Sequence, residues 1–383
     1  MLLTYGSTSP KCDKISIYGG IMIYFDYAAT SIKRREIFED VLNNFEKFDA
    51  NPHSIHGMGR QAHKILEDSR EKIANSLGVN KDNIIFNSGA SEGNNTIIRH
   101  FTGIGYKFLC SETDHPSVIN SLKNLNSNFE YLSLDEHGRI IIDDLEKKLD
   151  DKTVLILTLV NNETGVVQDL EKISAVLTDK DVHLHIDNVQ GYGHMDFDFE
   201  RADSISLSGH KIGGINGFGI LYCNKNIHNL IYAGEQEKKR RGGTSFVIGA
   251  YSMAQSYDKI VLERDLIREI KLSFIEELKS LEIPFEINGD LENSSNHILN
   301  LYFPFIKSDL LLTYLDMNGI CASAGSACSA GSLEESHVIK AIYGEERAKR
   351  SIRFSFGFTN NMEDVKYTAE KIKEIYIRKG DSN

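Results

Sequence analysis

Asp187 and Lys211 are two residues whose types and spacing could do chemistry together. Asp187 ends the stretch HLHID, and Lys211 follows in SLSGHKIGGINGFG, just past the next predicted strand. This arrangement suits pyridoxal phosphate, because a lysine amine forms a Schiff base with its aldehyde and a carboxylate keeps its pyridine nitrogen protonated. Ser208 and His210 flank the lysine and could donate to the phosphate. The pattern therefore predicts a pyridoxal-phosphate site.

Two predicted strand-to-helix junctions carry further candidates. NSGASEGNN opens a helix after the predicted strand NIIF, so Ala90 and Ser91 would present backbone N–H groups at a helix N-terminus. Free amides and the helix dipole favour anions there, which predicts a phosphate cradle. An ordinary helix cap by Ser88 or Ser91 explains the same pattern. His115 in TDHPSV lies at another junction, where an imidazole could lie over the cofactor ring and shuttle protons.

His183, His185 and Asp187 alternate along HLHID, and the two-residue period of a strand puts all three on one face. An H-x-H-x-D cluster offers good zinc ligands, so a metal-dependent hydrolase is an alternative interpretation. Histidines that pack or hydrogen-bond within a strand are another. A common metallohydrolase pattern has histidine directly after the aspartate, whereas this chain has Asn188.

Cys328 lies in ASAGSACSAG, where every other residue is alanine, serine or glycine. A structural cysteine usually has apolar neighbours, because a free thiol behaves as a small buried hydrophobe. Small residues instead leave the backbone free to move. The setting predicts an accessible, nucleophilic thiol.

Short apolar strands and amphipathic helices alternate from about residue 57 onward, which is typical of a mostly parallel sheet with helices on both faces. The predicted strands are NIIF, YKFLC, FEYLSL, TVLILTLV, VHLHID, SISLS and FGILYC. The pattern changes after GGTSFVIGAYSMAQSYDKI, where a long charged helix begins. We predict an α/β protein with an N-terminal extension (1–22), a large cofactor-binding domain (23–255) and a smaller α+β domain (256–383) with the Cys328 loop. The first residues of the large domain are expected to pack on the small one.

Composition excludes several classes of protein. The formal charge of −12 argues against a nucleic-acid-binding surface. No apolar run approaches the ~20 residues of a membrane span, and the first residues lack the pattern of a secretory signal. The five cysteines are odd in number and form no C-x-x-C pair, so neither a disulfide framework nor a zinc ribbon is indicated. We predict a cytoplasmic protein that binds neither nucleic acid nor membrane.

Ten short stretches follow one another in an order that resembles a known family. They are FDYAAT, NPHSIHGMGRQA, NSGASEGNN, DHPSV, NNETGVVQD, HIDNVQGYG, SGHKIGG, QEKKRRGGT, SAGSACSAGS and IRFSFG. In this order they resemble the blocks of the cysteine desulfurases, NifS/IscS-like members of class V of the aminotransferase superfamily. The resemblance covers nearly the whole chain. It implies the type I fold of pyridoxal-phosphate enzymes, with a mostly parallel seven-stranded sheet in the large domain.

The resemblance implies roles around the cofactor ring. Lys211 would be the Schiff-base lysine, Asp187 the partner of the pyridine nitrogen, and His115 the ring that stacks on the cofactor. Gln190 and Asn162 would contact the phenolic oxygen and the substrate.

The resemblance also implies a phosphate site shared between subunits. Ala90, Ser91, Ser208 and His210 would hold the phosphate from one chain. Thr244 would reach the phosphate of the neighbouring subunit, so a homodimer is expected.

The implied reaction converts L-cysteine to L-alanine. Arg353 would clamp the substrate carboxylate, and the Cys328 thiolate would take the sulfur as a persulfide. Cys328 would then pass the sulfur to an acceptor protein, such as an iron–sulfur scaffold or a thiolation enzyme. A loop of small residues lets one sulfur visit both places. Whether a transient iron–sulfur cluster sits on Cys328 is left open.

Other functions on the same fold are alternatives. A selenocysteine lyase or an aminotransferase is one, although simple transamination needs no thiol. A partner-binding protein without activity is another, although such a protein has no need of Lys211, Asp187, His115 and Cys328 together. Ile215 stands where the family usually has proline, so we expect a less stiff loop after the lysine.

Overall fold

The computed structural model describes residues 16–17, 20–178, 180–325 and 335–380. The strands, in chain order, are β1 Ser16–Ile17, β2 Gly20–Ile21, β3 Ile23–Tyr24, β4 Ile84–Asn87, β5 Lys107–Cys110, β6 Phe129–Tyr131, β7 Thr153–Thr158, β8 Val182–Asp187, β9 Ser204–Ser208, β10 Gly219–Cys223, β11 Glu286–Asn288, β12 Ile298–Tyr302, β13 Ile320–Cys321 and β14 Ser351–Ser355.

The α-helices, in chain order, are α1 Arg35–Asn43, α2 Gly57–Leu77, α3 Ala90–Gly103, α4 Pro116–Asn124, α5 Ile142–Lys148, α6 Leu170–Val176, α7 Val247–Ser280, α8 Ser308–Met317, α9 His337–Tyr343, α10 Glu345–Ala348 and α11 Met362–Gly380. Short 3₁₀ helices lie at Phe45–Lys47, Lys81–Asn83 and Gly209–Lys211, and a kinked turn with positive φ angles spans Gln236–Lys239. No helix of these described ranges is long and apolar enough to cross a membrane.

A seven-stranded sheet in the order β4-β10-β9-β8-β7-β5-β6 forms the centre of the protein. The strands from β9 to β6 in this order pair in parallel, and β10 lies antiparallel between β4 and β9. Each predicted strand of the sequence overlaps one of the seven observed strands, and all but NIIF contain the whole strand. The prediction of a mostly parallel seven-stranded α/β fold is confirmed.

The strand β7, in the middle of the sheet, is apolar on both faces because helices cover both. Along β7, Val154 and Ile156 pack with residues of α3 and α4, whereas Leu155 and Leu157 pack with residues of α2 and α7. All four side chains are buried, and each contributes about 1.5–3 kcal/mol of hydrophobic free energy. This two-sided burial explains the continuous apolar run in the sequence.

The carboxyl ends of the parallel strands meet at one edge of the sheet, where open α/β sheets place their ligand sites. Asp187 is the last residue of β8, and Ser208 is the last residue of β9. Ala90, His115 and Asn162 follow β4, β5 and β7 closely in the chain. The strand order therefore brings these five separate parts of the sequence together.

A second, smaller core lies around the antiparallel sheet β11-β12-β14 and helices α8 and α11. β3 pairs in parallel with β13, so the segment just before the large sheet packs in this smaller core. Phe25 stacks there on Phe274 of α7, with ring centroids 6.0 Å apart.

The long helix α7 belongs to both cores. Its residues Met253 and Ile260 pack with the large sheet, whereas Ile267 and Phe274 pack in the smaller core. The predicted boundary near residue 255 falls inside this helix, so the change of sequence pattern does not coincide with the end of an element. The division into two domains stays a prediction.

A buried ion pair ties the segment after β3 to α7. Both guanidinium Nη atoms of Arg34 donate to the carboxylate of Glu263, at 2.8 and 2.6 Å, and the Arg34 side chain is 2% exposed. The next residue, Arg35, pairs with Glu39 at 2.7 Å, but both side chains are more than half exposed.

We expect Arg34→Gln to lower the free energy of unfolding by about 3 kcal/mol, because it leaves the carboxylate of Glu263 partly buried without its cation. The matched control Arg35→Gln should cost less than about 1 kcal/mol, because an exposed pair is screened by water. Urea unfolding of the two variants measures the difference. Equal losses would mean that burial of the Arg34 pair adds nothing to stability.

Candidate active site

A cavity of about 320 Å³ lies at the carboxyl edge of the sheet. Of the residues singled out in the sequence, those that line it are Ala90, Ser91, His115, Asn162, Asp187, Gln190, Ser208, His210, Lys211 and Arg353. Thr244 does not line this cavity and is solvent-exposed before α7. Cys328 lies outside the described residues.

Lys211 is held by the backbone of the segment after β3. Its Nζ donates to the carbonyl oxygens of Ala28 at 2.7 Å and Ala29 at 2.8 Å. The neighbouring His210 shares a hydrogen bond of 2.6 Å between Nδ1 and Thr30 Oγ1. Burial, together with the charge of Lys211, lowers the pKa of His210 to about 3, so the ring is neutral. The FDYAAT stretch thus positions the lysine and its neighbour.

The loop after Lys211 is anchored where the family pattern has proline. The backbone N–H of Ile215 donates to Ser252 Oγ at 3.1 Å, and Ser252 is fully buried in α7. Proline has no N–H and could not make this bond. The loop lacks the stiffness that proline would give it, but this hydrogen bond ties it to α7 instead.

Asp187 is fixed by the amide of Asn94, a residue of α3. Asn94 Nδ2 donates to Asp187 Oδ2 at 2.8 Å and lies 3.0 Å from Ser117 Oγ. The backbone N–H of Val189 donates to the other oxygen, Asp187 Oδ1, at 3.2 Å. The carboxylate is 5% exposed, so these bonds replace the water that burial removes.

The histidines of β8 hydrogen-bond within the fold, which is the second interpretation of the HLHID pattern. His185 Nε2 lies 2.9 Å from Asn94 Oδ1 and its Nδ1 lies 2.7 Å from Ser204 Oγ, so both ring nitrogens are engaged. His183 Nε2 shares the same Ser204 hydroxyl at 2.8 Å. Burial lowers the pKa of His185 to about 3. Within the described ranges, no group of three metal-ligating side chains comes together, and the hydrolase interpretation has no support.

The start of α3 forms the expected phosphate end of the cavity. Gly89 is the N-cap residue of the helix and has φ 143°, a conformation that favours glycine, and it has no side chain with which to cap the helix. The ordinary cap by Ser88 or Ser91 is therefore wrong. The backbone N–H of Ala90 donates to Ser208 Oγ at 2.9 Å, which places the two donors side by side.

His115 caps α4 and is held in one tautomer. Its Nδ1 accepts a hydrogen bond from the backbone N–H of Ser117 at 3.1 Å, so the proton of the neutral ring is on Nε2. Burial lowers the pKa of His115, although the charge of Asp187 acts in the opposite direction. The imidazole is therefore neutral at neutral pH.

Arg353 is buried on β14 and reaches the cavity from the smaller core. Its Nη2 donates to Asp26 Oδ1 and its Nη1 donates to the carbonyl oxygen of Asn162, both at 2.8 Å. The side chain is 1% exposed, and its Nε is buried with no hydrogen-bond partner among the described residues. Burial raises the pKa of Asp26, while the charge of Arg353 and its hydrogen bond lower it.

The side-chain amide of Gln190 is oriented by two hydrogen bonds, one of them with the buried His297. Its Nε2 donates to the carbonyl oxygen of Ala28 at 2.9 Å, and its Oε1 lies 3.2 Å from His297 Nε2. The amide therefore has a defined orientation, with its donor on the side of the Lys211 contact.

Both ends of the segment that contains Cys328 are anchored beside the cavity. Ser323 forms an isolated bridge with Arg353, which lines the cavity. On the other side, the Ser336 hydroxyl donates to the buried carboxylate of Glu163, next to the lining residue Asn162.

The residues present fit pyridoxal phosphate. One cavity contains a lysine amine, a buried carboxylate and the N-terminus of a 14-residue helix beside a serine and a histidine. These groups match the aldehyde, the pyridine nitrogen and the phosphate of that cofactor.

Sequence reasoning missed Asn94, Asp26 and Ser117, which hold the predicted groups in place. Asn94 and Asp26 lie inside NSGASEGNN and FDYAAT, so the family blocks contained the signal. Their contacts join distant elements, which residue spacing alone does not reveal.

Three comparisons with known proteins agree. The aminotransferase class-V family model matches residues 23–368. The cysteine desulfurase IscS of Dictyoglomus turgidum is 35% identical over 370 residues, which cover 92% of this chain and 94% of that relative. A solved structure of a NifS-like protein superposes with a TM-score of 0.86 at 29% identity, covering 94% of this chain and 100% of the other.

A solved structure titled SspA in complex with cysteine has a TM-score of 0.77 at 29% identity, covering 87% of this chain and 98% of that one. Its match and the other matches extend over both cores of the fold. The chain therefore belongs to the class-V aminotransferase family, and within it to the cysteine desulfurases.

Proposed function

We propose that this protein is a pyridoxal-phosphate-dependent cysteine desulfurase that converts L-cysteine to L-alanine and holds the sulfur as a persulfide on Cys328. The observation that carries the proposal is the convergence of Lys211, Asp187 and Arg353 on one cavity, beside the anchored ends of the Cys328 segment. The name of the related SspA structure, a complex with cysteine, supports the choice of substrate.

Pyridoxal phosphate, when bound, supplies an aldehyde that takes an amine and a ring that accepts electrons from the substrate carbon. Lys211 Nζ is the amine of this chain for that aldehyde, and two backbone carbonyls orient it. Asp187 would hold the proton of the ring nitrogen, since its carboxylate is buried and hydrogen-bonded in place. Ala90, Ser91, Ser208 and His210 bind the phosphate.

The other predicted residues bind and orient the substrate and the ring. Arg353 binds the substrate carboxylate with its two-pronged guanidinium. Asn162 and Gln190 contact the substrate and the phenolic oxygen. His115 would contact the cofactor ring, and its imidazole is neutral because burial lowers its pKa.

The sulfur step consumes one thiol and forms one persulfide. The Cys328 thiolate attacks the sulfur of the substrate, so a sulfur–sulfur bond forms while the carbon–sulfur bond breaks. The electron pair of the broken bond stays on the substrate carbon, which takes up a proton and becomes the methyl group of alanine. No external oxidant or reductant is needed, because the substrate carbon is reduced to a methyl group by the same two electrons that the sulfurs lose when the persulfide forms.

Cys328→Ala should abolish the release of alanine from L-cysteine, because the protein then has no thiol to take the sulfur. Cys321→Ala is the matched control, since Cys321 is half-buried in β13 and burial raises the pKa of its thiol. Alanine formed per enzyme is the measurement. Unchanged turnover in Cys328→Ala would overturn the persulfide mechanism.

We also propose a homodimer in which Thr244 contacts the phosphate site of the partner. Large apolar side chains are exposed around this segment, with Ile55 91%, Tyr232 76% and Phe246 41% exposed. The stretches that carry Ile55 and Tyr232 are close in space, because His53 and Glu235 line one surface cavity. A second copy would bury this apolar face.

Sedimentation equilibrium of the full chain should give about twice the 43.1 kDa of one subunit. Tyr232→Glu should shift the protein toward monomer, because it would bury a charge in the interface. Met317→Glu, at a residue 80% exposed at the end of α8, should leave the mass unchanged. A monomeric wild-type protein would contradict the dimer.

The persulfide is proposed to pass to an acceptor protein in the cytoplasm, such as an iron–sulfur scaffold or a thiolation enzyme. The described cysteines, Cys110, Cys223 and Cys321, are free thiols, which is consistent with a reducing compartment. The acceptor is identified by which candidate takes labelled sulfur from the wild-type enzyme but not from Cys328→Ala.

A further inference from the structure

An ion pair lies directly beside the proposed phosphate end of the cavity. Arg241 Nε lies 3.0 Å from Glu92 Oε1, and Arg241 Nη2 lies 3.2 Å from Glu92 Oε2. The side chains are 25% and 10% exposed, so the pair is largely withdrawn from water. Glu92 Oε2 also accepts the backbone N–H of Ser88 at 2.8 Å.

Glu92 creates an electrostatic conflict at this site. It lies in the first turn of α3, and the two residues before it, Ala90 and Ser91, line the cavity. A helix N-terminus attracts any nearby anion, so a carboxylate there competes with a phosphate ester that carries nearly two negative charges. Burial raises the pKa of Glu92, but the hydrogen bonds from Arg241 and Ser88 outweigh burial and keep the group ionised.

The segment that carries Arg241 is held rigidly. Glu237, Lys238 and Lys239 all have positive φ, at 48°, 56° and 66°, which non-glycine residues rarely adopt. The buried carboxylate of Glu237 accepts two bonds from Arg70, at 2.8 and 2.9 Å, and one from the backbone N–H of Phe86. These contacts attach the segment to β4, the strand that leads to α3.

We propose that Arg241 is a positioning residue for the cofactor phosphate: it neutralises and holds the carboxylate of Glu92, so that the start of α3 remains able to bind a phosphate dianion. This inference rests on the proposed function. It means that the affinity of the cavity for the cofactor depends on the guanidinium of Arg241, which lies three residues before Thr244 in the chain.

The test measures dissociation constants of pyridoxal phosphate and of phosphate-free pyridoxal. The full-length protein is stripped of cofactor with hydroxylamine and titrated by absorption. Arg241→Gln should weaken pyridoxal phosphate about tenfold, the size expected for one nearby unit charge in a partly buried site, and should leave pyridoxal unchanged.

The variant Glu92→Gln separates this electrostatic role from a structural one. Its amide oxygen can still accept the Ser88 N–H, but the competing charge is gone, so pyridoxal phosphate should bind as tightly as to wild type or more tightly. The double variant Arg241→Gln/Glu92→Gln should recover most of the lost affinity. Arg139→Gln is the matched control, because Arg139 pairs with two carboxylates, is 26% exposed and does not line the cavity.

The two single variants are expected to differ, because only Arg241→Gln should weaken pyridoxal phosphate. If Glu92→Gln weakens pyridoxal phosphate as Arg241→Gln does, the pair is only structural and the inference is overturned. If Arg241→Gln weakens the binding of pyridoxal as much as that of pyridoxal phosphate, the inference is overturned as well, because pyridoxal has no phosphate group. A wild-type protein that binds neither compound would instead overturn the proposed function, and the inference with it.

Discussion

The side-chain amide of Asn94 is the contact on which the geometry of the site depends. Its Nδ2 donates to the carboxylate of Asp187, and its Oδ1 lies 2.9 Å from the ring nitrogen of buried His185. Because Asn94 belongs to α3 and Asp187 ends β8, this one amide sets the separation between the helix that would bind the phosphate and the carboxylate that would hold the ring nitrogen. His185 is neutral, so it can donate to the amide without adding a charge.

The rest of the site follows from the same edge of the sheet. Parallel strands place their carboxyl ends together, and the small core adds Arg353 from the other side through its contacts with Asp26 and Asn162. The position of the Lys211 amine depends on both cores. Lys211 follows β9 of the large sheet, whereas its carbonyl partners, Ala28 and Ala29, follow β3, which pairs with β13 in the smaller core. The cavity is therefore shaped by both packing units.

Much of this was predictable from the sequence, where local patterns decide the structure. The seven predicted stretches correspond to the seven strands of the sheet, with the continuous apolar run of β7 explained by burial on both faces, and Asp187 and Ser208 lie at strand ends as predicted. What could not be predicted depends on contacts between distant elements. Asn94 meets Asp187 through the docking of α3 on the sheet, and Ile215 meets Ser252 through the packing of α7 beside the loop after Lys211.

The most direct measurement is the absorption spectrum of the purified protein before and after L-cysteine, with alanine assayed in the same sample. We expect an absorption band at longer wavelength than the ultraviolet absorption of the protein itself, a change of that band on addition of cysteine, and the formation of alanine. A protein that stays colourless after incubation with pyridoxal phosphate would contradict the cofactor site. A coloured protein that forms no alanine from cysteine would contradict the proposed reaction.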